Sequence, residues 1–159
     1  MNDFTDLFYT VFSVVIFSFL LLQANSLILR NDTVTVDHEF EKTAIALAQS
    51  VIEEARTMAF DQEMSPASIP DDFNDPGNFG NTNPREDYTS FDDYHGYTET
   101  VPTQLGDYEI SVAVTYADTN PPYDAIGGKS TSKRMTVEAT SLANGQSASL
   151  VFMKSYFLQ

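Results

Sequence analysis

The chain has 159 residues, and its 8 Lys and Arg stand against 23 Asp and Glu, a net charge of −15. That balance excludes a nucleic-acid surface, which needs clustered cations to displace counterions, and an anionic membrane surface would repel the body of the protein. With no cysteine there is no disulfide, thiolate metal site or thiol nucleophile, and His38 and His95 alone are little material for a histidine-based site.

The hydrophobic residues are unevenly spread. From Leu7 to Leu29 the chain reads LFYTVFSVVIFSFLLLQANSLIL, without a charge. This is about the length a helix needs to cross a ~30 Å hydrocarbon core. Residues 1–30 therefore read as one hydrophobic transmembrane helix. A removable secretory signal is the competing reading, but such signals open with basic residues, whereas Asp3 and Asp6 precede this span. Arg30 on the far side would place that side in the cytoplasm by the positive-inside rule.

Residues 31–64 are expected to continue the helix in amphipathic form. Asn31 to Asp37 is rich in β-branched residues, so a helix crossing it is weak and open to unwinding or stretching there. Asn31-Asp32-Thr33 also matches the glycosylation sequon, a short pattern that recurs by chance. Beyond it, Val36, Phe40, Ala44, Leu47, Ala48, Val51, Ile52, Ala55 and Ala59 recur at helical steps, opposite Glu39, Lys42, Glu53, Glu54 and Arg56. Asp37 suits a helix N-cap or first turn, and Pro66 limits the helix to an end near Phe60 to Met64.

Residues 65–159 read as a globular head. Its first part, 65–106, is a long Asp-, Pro- and Tyr-rich stretch with turns and no period, unusual inside a compact domain. Phe73, Phe79, Tyr88, Phe91, Tyr94 and Tyr97 are the aromatic anchors that would pin it down as an ordered, irregular segment. Asp71, Asp72, Asn74 and Asp75 place hard oxygens close together, the ligand chemistry of a weak calcium site. The EF-hand glycine and distal glutamate are absent from the required spacing, which favours the competing reading of a solvated acidic loop.

Residues 107–159 read as antiparallel sheet. Tyr108, Ile110, Val112 and Val114 alternate on one strand and Met135, Val137 and Ala139 on another. Asn144-Gly145 is a two-residue hairpin signal leading into a last strand from Ala148 to Leu158. No serine lies in a nucleophile elbow, and Glu53-Glu54 read as surface charge, so the expectation is a protein that is not an enzyme.

The order of these parts resembles a type IV pilin or pseudopilin, at the level of architecture, over nearly the whole chain. The stretches that carry the likeness best are AIALAQSVIEEARTMAFD, Ala44 to Asp61, and YEISVAVTYAD with STSKRMTVEATSLANGQSASLVFMKSYF. The family pattern has a basic leader and a glutamate at the fifth mature position; here the fifth residue is Thr5, leaving Asp3 or Asp6 for the acid's role. The resemblance implies an α+β fold, a long N-terminal helix packed on a C-terminal β-meander. It also implies a structural subunit of a surface filament, held in the membrane before assembly and handled by a pilus or secretion machinery. Copies of the chain would meet through Phe8, Phe12, Val15, Phe19 and Leu22, and Asp3 or Asp6 would pair with a neighbour's N-terminal amine. A minor pilin or pseudopilin of such an apparatus, or a single-span protein with a small binding head, are the alternatives.

Overall fold

The computed structural model describes residues 3–62 and 66–157, with backbone alone over 27–36. The fold is α+β: a helix α1, Asp3–Thr57, followed by an irregular segment and an antiparallel sheet. The chain divides into two units, residues 1–39 and 40–159. The backbone is helical through the β-branched stretch, so the expected unwinding at residues 31–37 is corrected, and Asp37 lies within α1 rather than at its N-cap. The Asn31 side chain lies outside the described residues, as does that of Val36.

In the first unit, Asp3 and Asp6 sit in the first turn of α1, where the helix dipole favours negative charge. Asp3–Ser26 is a span of 24 residues, long and apolar enough to cross a membrane, and none of it is buried within the chain. At 1.5 Å per residue it extends about 36 Å, enough for a bilayer's hydrocarbon core.

In the second unit, the helical stripe does what its spacing predicts. Ala44, Ala48, Val51, Ile52 and Ala55 are buried, with Phe40 and Leu47 packed at their margin. Three alanines in that stripe share one buried cluster with Tyr108, Val112 and Val137 of the sheet. The helix ends at Thr57, just short of the expected end near Phe60 to Met64. Ala59 has already left it, joining Ser90 in an isolated parallel bridge with Phe91 N donating to Ala59 O at 2.8 Å. The tertiary pairing with residues 89–91 ends the helix before Pro66 can.

The sheet has five strands: β1 (Thr98–Thr103), β2 (Gly106–Ala117), β3 (Ala125–Ile126), β4 (Ser132–Ser141) and β5 (Ser147–Ser155). The order is β1-β2-β4-β5, with short β3 also pairing β2. Val112 faces Val137, Ile110 faces Ala139 and Val114 faces Met135, so both alternating faces meet across one register and are buried together. Each buried Val, Ile or Met among them contributes about 1.5–3 kcal/mol relative to exposure. Strand β1 lies inside the segment 65–106 that was expected to be irregular. It is an edge strand, mostly exposed, carrying Pro102, and so it lacks the apolar alternation that betrays a strand.

Two turns differ from expectation. Asn144-Gly145 does not make a two-residue hairpin. Residues 142–146 connect β4 to β5, closed by Gly145 N donating to Ser141 O at 2.9 Å with Gly145 at φ +74°. The two-residue connection is instead Gln104-Leu105, between paired Thr103 and Gly106, where Gly106 carries φ +111°. The last strand also ends at Ser155 rather than Leu158.

Between α1 and β1, the segment carries three short 3-10 helices, Pro76–Asn78, Arg85–Asp87 and Phe91–Tyr94. Phe73, Tyr88, Phe91 and Tyr94 are buried, and Phe79 and Tyr97 half-buried.

Candidate functional site

The apolar span is the first functional element. Phe8, Phe12, Val15, Phe19 and Leu22 are all more than half exposed. The five follow a seam of three- and four-residue steps, but Val11, Val14, Phe17 and Leu20 are as exposed, so the surface is apolar on all sides. Such a cylinder can face lipid or other helices equally well, because neither offers it hydrogen bonds. Residues 1 and 2 lie outside the described residues, and with them the N-terminal amine proposed to pair with Asp3 or Asp6.

The acidic residues of 71–75 do not converge. Asp72 Oδ2 accepts from Ser68 N at 2.7 Å, and Asp71 Oδ2 from Ser68 Oγ at 3.4 Å. Asp75 pairs with Lys129 at 3.1 Å, while Asn74 turns its amide inward to donate to Asp92 at 2.9 Å. Among the described residues no group of three His, Cys, Asp or Glu is placed to hold a metal ion, and these four side chains serve in capping, ion pairing and hydrogen bonding. His95 likewise has a structural duty, accepting from Val114 N through Nδ1 at 3.0 Å.

Glu54 corrects the reading of Glu53-Glu54 as plain surface charge. Arg85 holds its carboxylate with two bonds, Nη2 at 2.5 Å and Nε at 3.0 Å, and Tyr94 OH donates to it at 2.8 Å. Arg85 also reaches Glu99 at 3.2 Å and lies over the Tyr97 ring at 5.2 Å. Burial alone would raise the Glu54 pKa, but the Arg85 and Tyr94 hydrogen bonds and the Arg85 charge together hold it below its ordinary value. Burial, followed by bonding to Glu54, pushes the Tyr94 phenol up. This cluster ties the last turns of α1 to the irregular segment and β1, and the bidentate geometry requires Arg rather than Lys.

A second polar cluster is fully enclosed. Lys133, at the start of β4 and opposite Tyr116 on β2, is wholly buried. Its Nζ lies 2.6 Å from Asp61 Oδ2, 3.3 Å from Asp92 Oδ1 and 2.8 Å from Phe60 O. The rings of Phe60, Phe79 and Tyr116 stand around it at 4.6, 5.0 and 5.3 Å. Asn74 N donates to both Asp61 oxygens at 3.2 Å, and Tyr116 OH donates to Asn74 O at 2.7 Å. Burial first, then the Asp61 and Asp92 carboxylates, push the Tyr116 phenol well up. Next to Asp92, Asp93 faces a different set of donors, the backbone N–H groups of Thr89 and Ser90 at 2.8 and 2.9 Å. Those bonds outweigh burial and hold its pKa below the ordinary value.

Sequence analysis missed this centre, although one signal pointed at it. Lys133 continues the alternation of Met135, Val137 and Ala139 by one step, which puts a lysine on the core face.

Beside β5 lies an open cleft of about 790 Å³, bordered by Arg56, Tyr123, Ser132, Phe152, Lys154 and Phe157. Lys154 is not free in it: its ammonium donates to Arg56 O at 2.9 Å and to Met58 O, closing carbonyls at the C-terminus of α1. No family model, no curated protein and no solved structure matches the chain.

Proposed function

We propose that this protein is a structural, non-enzymatic subunit that polymerises through its N-terminal helix into a surface filament of the type IV pilin kind. The observation that carries the proposal is the 24-residue apolar span, whose side chains are exposed around the whole circumference of the helix among the described residues. So large an apolar surface needs a partner, and lipid before assembly followed by copies of the same helix afterwards would supply one in both states. The α+β head, with its helix stripe packed on an antiparallel meander, fits the same layout. In this reading Phe8, Phe12, Val15, Phe19 and Leu22 are polymer contacts, and the membrane and an assembly machinery are the other partners.

Electron microscopy of a sheared cell-surface fraction, with mass spectrometry of its main band, tests the proposal. Thin uniform fibres containing this chain are expected. Recovery of the chain only as a detergent-extracted monomer would instead establish a single-span anchored head.

A further inference from the structure

Among the described residues, the enclosed Lys133 centre brings more acid than base together. Two carboxylates, Asp61 and Asp92, face one ammonium, all three side chains are at most 1 % exposed, and aromatic rings replace water around them. Charges buried in this way are costly even when paired. Condensing Asp61 with the amine removes two of the three charges and expels only water, leaving the Asp92 carboxylate with the Asn74 Nδ2 donor.

We propose that Lys133 and Asp61 join in an intramolecular isopeptide bond, with Asp92 moving the protons. The bond would be a self-modification of the head, argued independently of the filament reading. The starting geometry is a buried ion pair whose ammonium also donates to Phe60 O at 2.8 Å. Lys133 Nζ is in hydrogen-bond contact with Asp61 Oδ2 at 2.6 Å, held there by the fold, so the entropic cost of bringing amine and acid together is already met. In the dry cavity the ammonium passes a proton to the Asp61 carboxylate, leaving a neutral amine and a neutral acid. The amine lone pair then attacks Asp61 Cγ, forming the C–N bond. The Asn74 N–H, shared between both Asp61 oxygens at 3.2 Å, is placed to stabilise the negative oxygen that develops. Asp92 Oδ1 stands 3.3 Å from Nζ and makes no hydrogen bond of its own in the structure, so it is open to take a proton from the nitrogen as the tetrahedral centre forms and return it to the departing hydroxyl. The C–O bond breaks and one water leaves. Ammonium plus carboxylate become amide plus water, with no oxidant, reductant or outside reactant. Asn74 also orients Asp92, through Nδ2 to Oδ2 at 2.9 Å, so one residue serves both carboxyl groups. The product would fasten the segment just after α1 to the first residues of β4, across 72 positions of sequence.

Intact mass of the full chain, purified in detergent and measured under denaturing conditions, decides the matter. The expected mass is one water below that of the sequence. Digestion with trypsin should leave Lys133 uncleaved and yield a branched peptide joining the fragments that contain Asp61 and Lys133. A full-length mass overturns the proposal. So does a water loss that maps to a linear peptide, since that is a succinimide. Asp92→Asn, close in shape, should slow bond formation by about a hundredfold or more. Linkage of that variant at the wild-type rate would remove Asp92 from the reaction. If Asp92→Asn does not fold, the wild-type mass and peptide map still decide whether the bond exists.

Discussion

Lys133 Nζ and Asp61 Oδ2 lie 2.6 Å apart, although 72 positions separate the two residues in sequence. One comes from the start of β4 and the other from the chain just beyond α1, and they meet inside a cage of Phe60, Phe79 and Tyr116. Their contact makes the head's stability depend on a polar centre as well as on its apolar core.

Lys133→Met is nearly isosteric but leaves the Asp61 and Asp92 carboxylates buried with no ammonium between them. Against the unlinked chain, breaking the buried pair on one side costs about 3–5 kcal/mol, and against the linked chain the cross-link is lost as well. Denaturant unfolding of the full chain in detergent, followed by tyrosine fluorescence, should show that loss. Adding Asp61→Asn and Asp92→Asn to the same chain should restore part of it, because the stranded charges are gone.

Acid should weaken the head through Glu54 and Asp93. Both carboxyls have folded pKa values below their ordinary 4.5 and 3.8, so in acid the unfolded chain binds more protons than the folded one. Their contribution is whole above about 4.5 and is lost as pH falls from there through the lower folded values. Glu54→Gln should flatten the upper part of that decline and cost about 1 kcal/mol at neutral pH, since the Arg85 pair is partly open to solvent. Unfolding midpoints measured across this pH window check both statements.

Gly80 holds φ +99°, and a Cβ placed on it would stand 2.6 Å from His95 O. Its N–H donates to Asp92 O at 2.9 Å, so the strain would fall on the backbone that carries Asp92. Gly80→Ala should destabilise the head by about 1–3 kcal/mol. Gly77, with open space around it and no such backbone constraint, is the control: Gly77→Ala should change the unfolding midpoint little.

Phe12→Asp or Leu21→Asp places a charge in the middle of the apolar span, at a cost of about 2.5–3.5 kcal/mol in a membrane helix. Filaments should be lost while the head, from about residue 36 onward, keeps its circular dichroism. Normal filaments with either charge present would exclude this helix as the polymer core.

The parts of the molecule that were legible in advance are those with a strong local period. The apolar span, the stripe from Ala44 to Ala55 and the alternations in β2 and β4 each repeat a pattern that one face of one element must bury or expose. The helix end, strand β1 and the five-residue turn were not legible. Each is decided by a partner distant in sequence: residues 89–91 for the helix end, β2 for β1, and Asp107 O, which receives Leu142 N at 2.9 Å, for the turn.

The polar residues divide in the same way. Sequence by itself determined that the chain carries an apolar helix, a helix stripe, alternating strands and a large excess of acid. Only the tertiary structure decided which acids are solvated and which are buried. Asp71 and Asp72 cap a nearby turn, whereas Asp61 and Asp92 meet Lys133 in the core. The reason is physical: a carboxylate's neighbours in space set its hydration and its charge balance, and in an antiparallel sheet those neighbours come from strands and loops that sequence distance does not bring together.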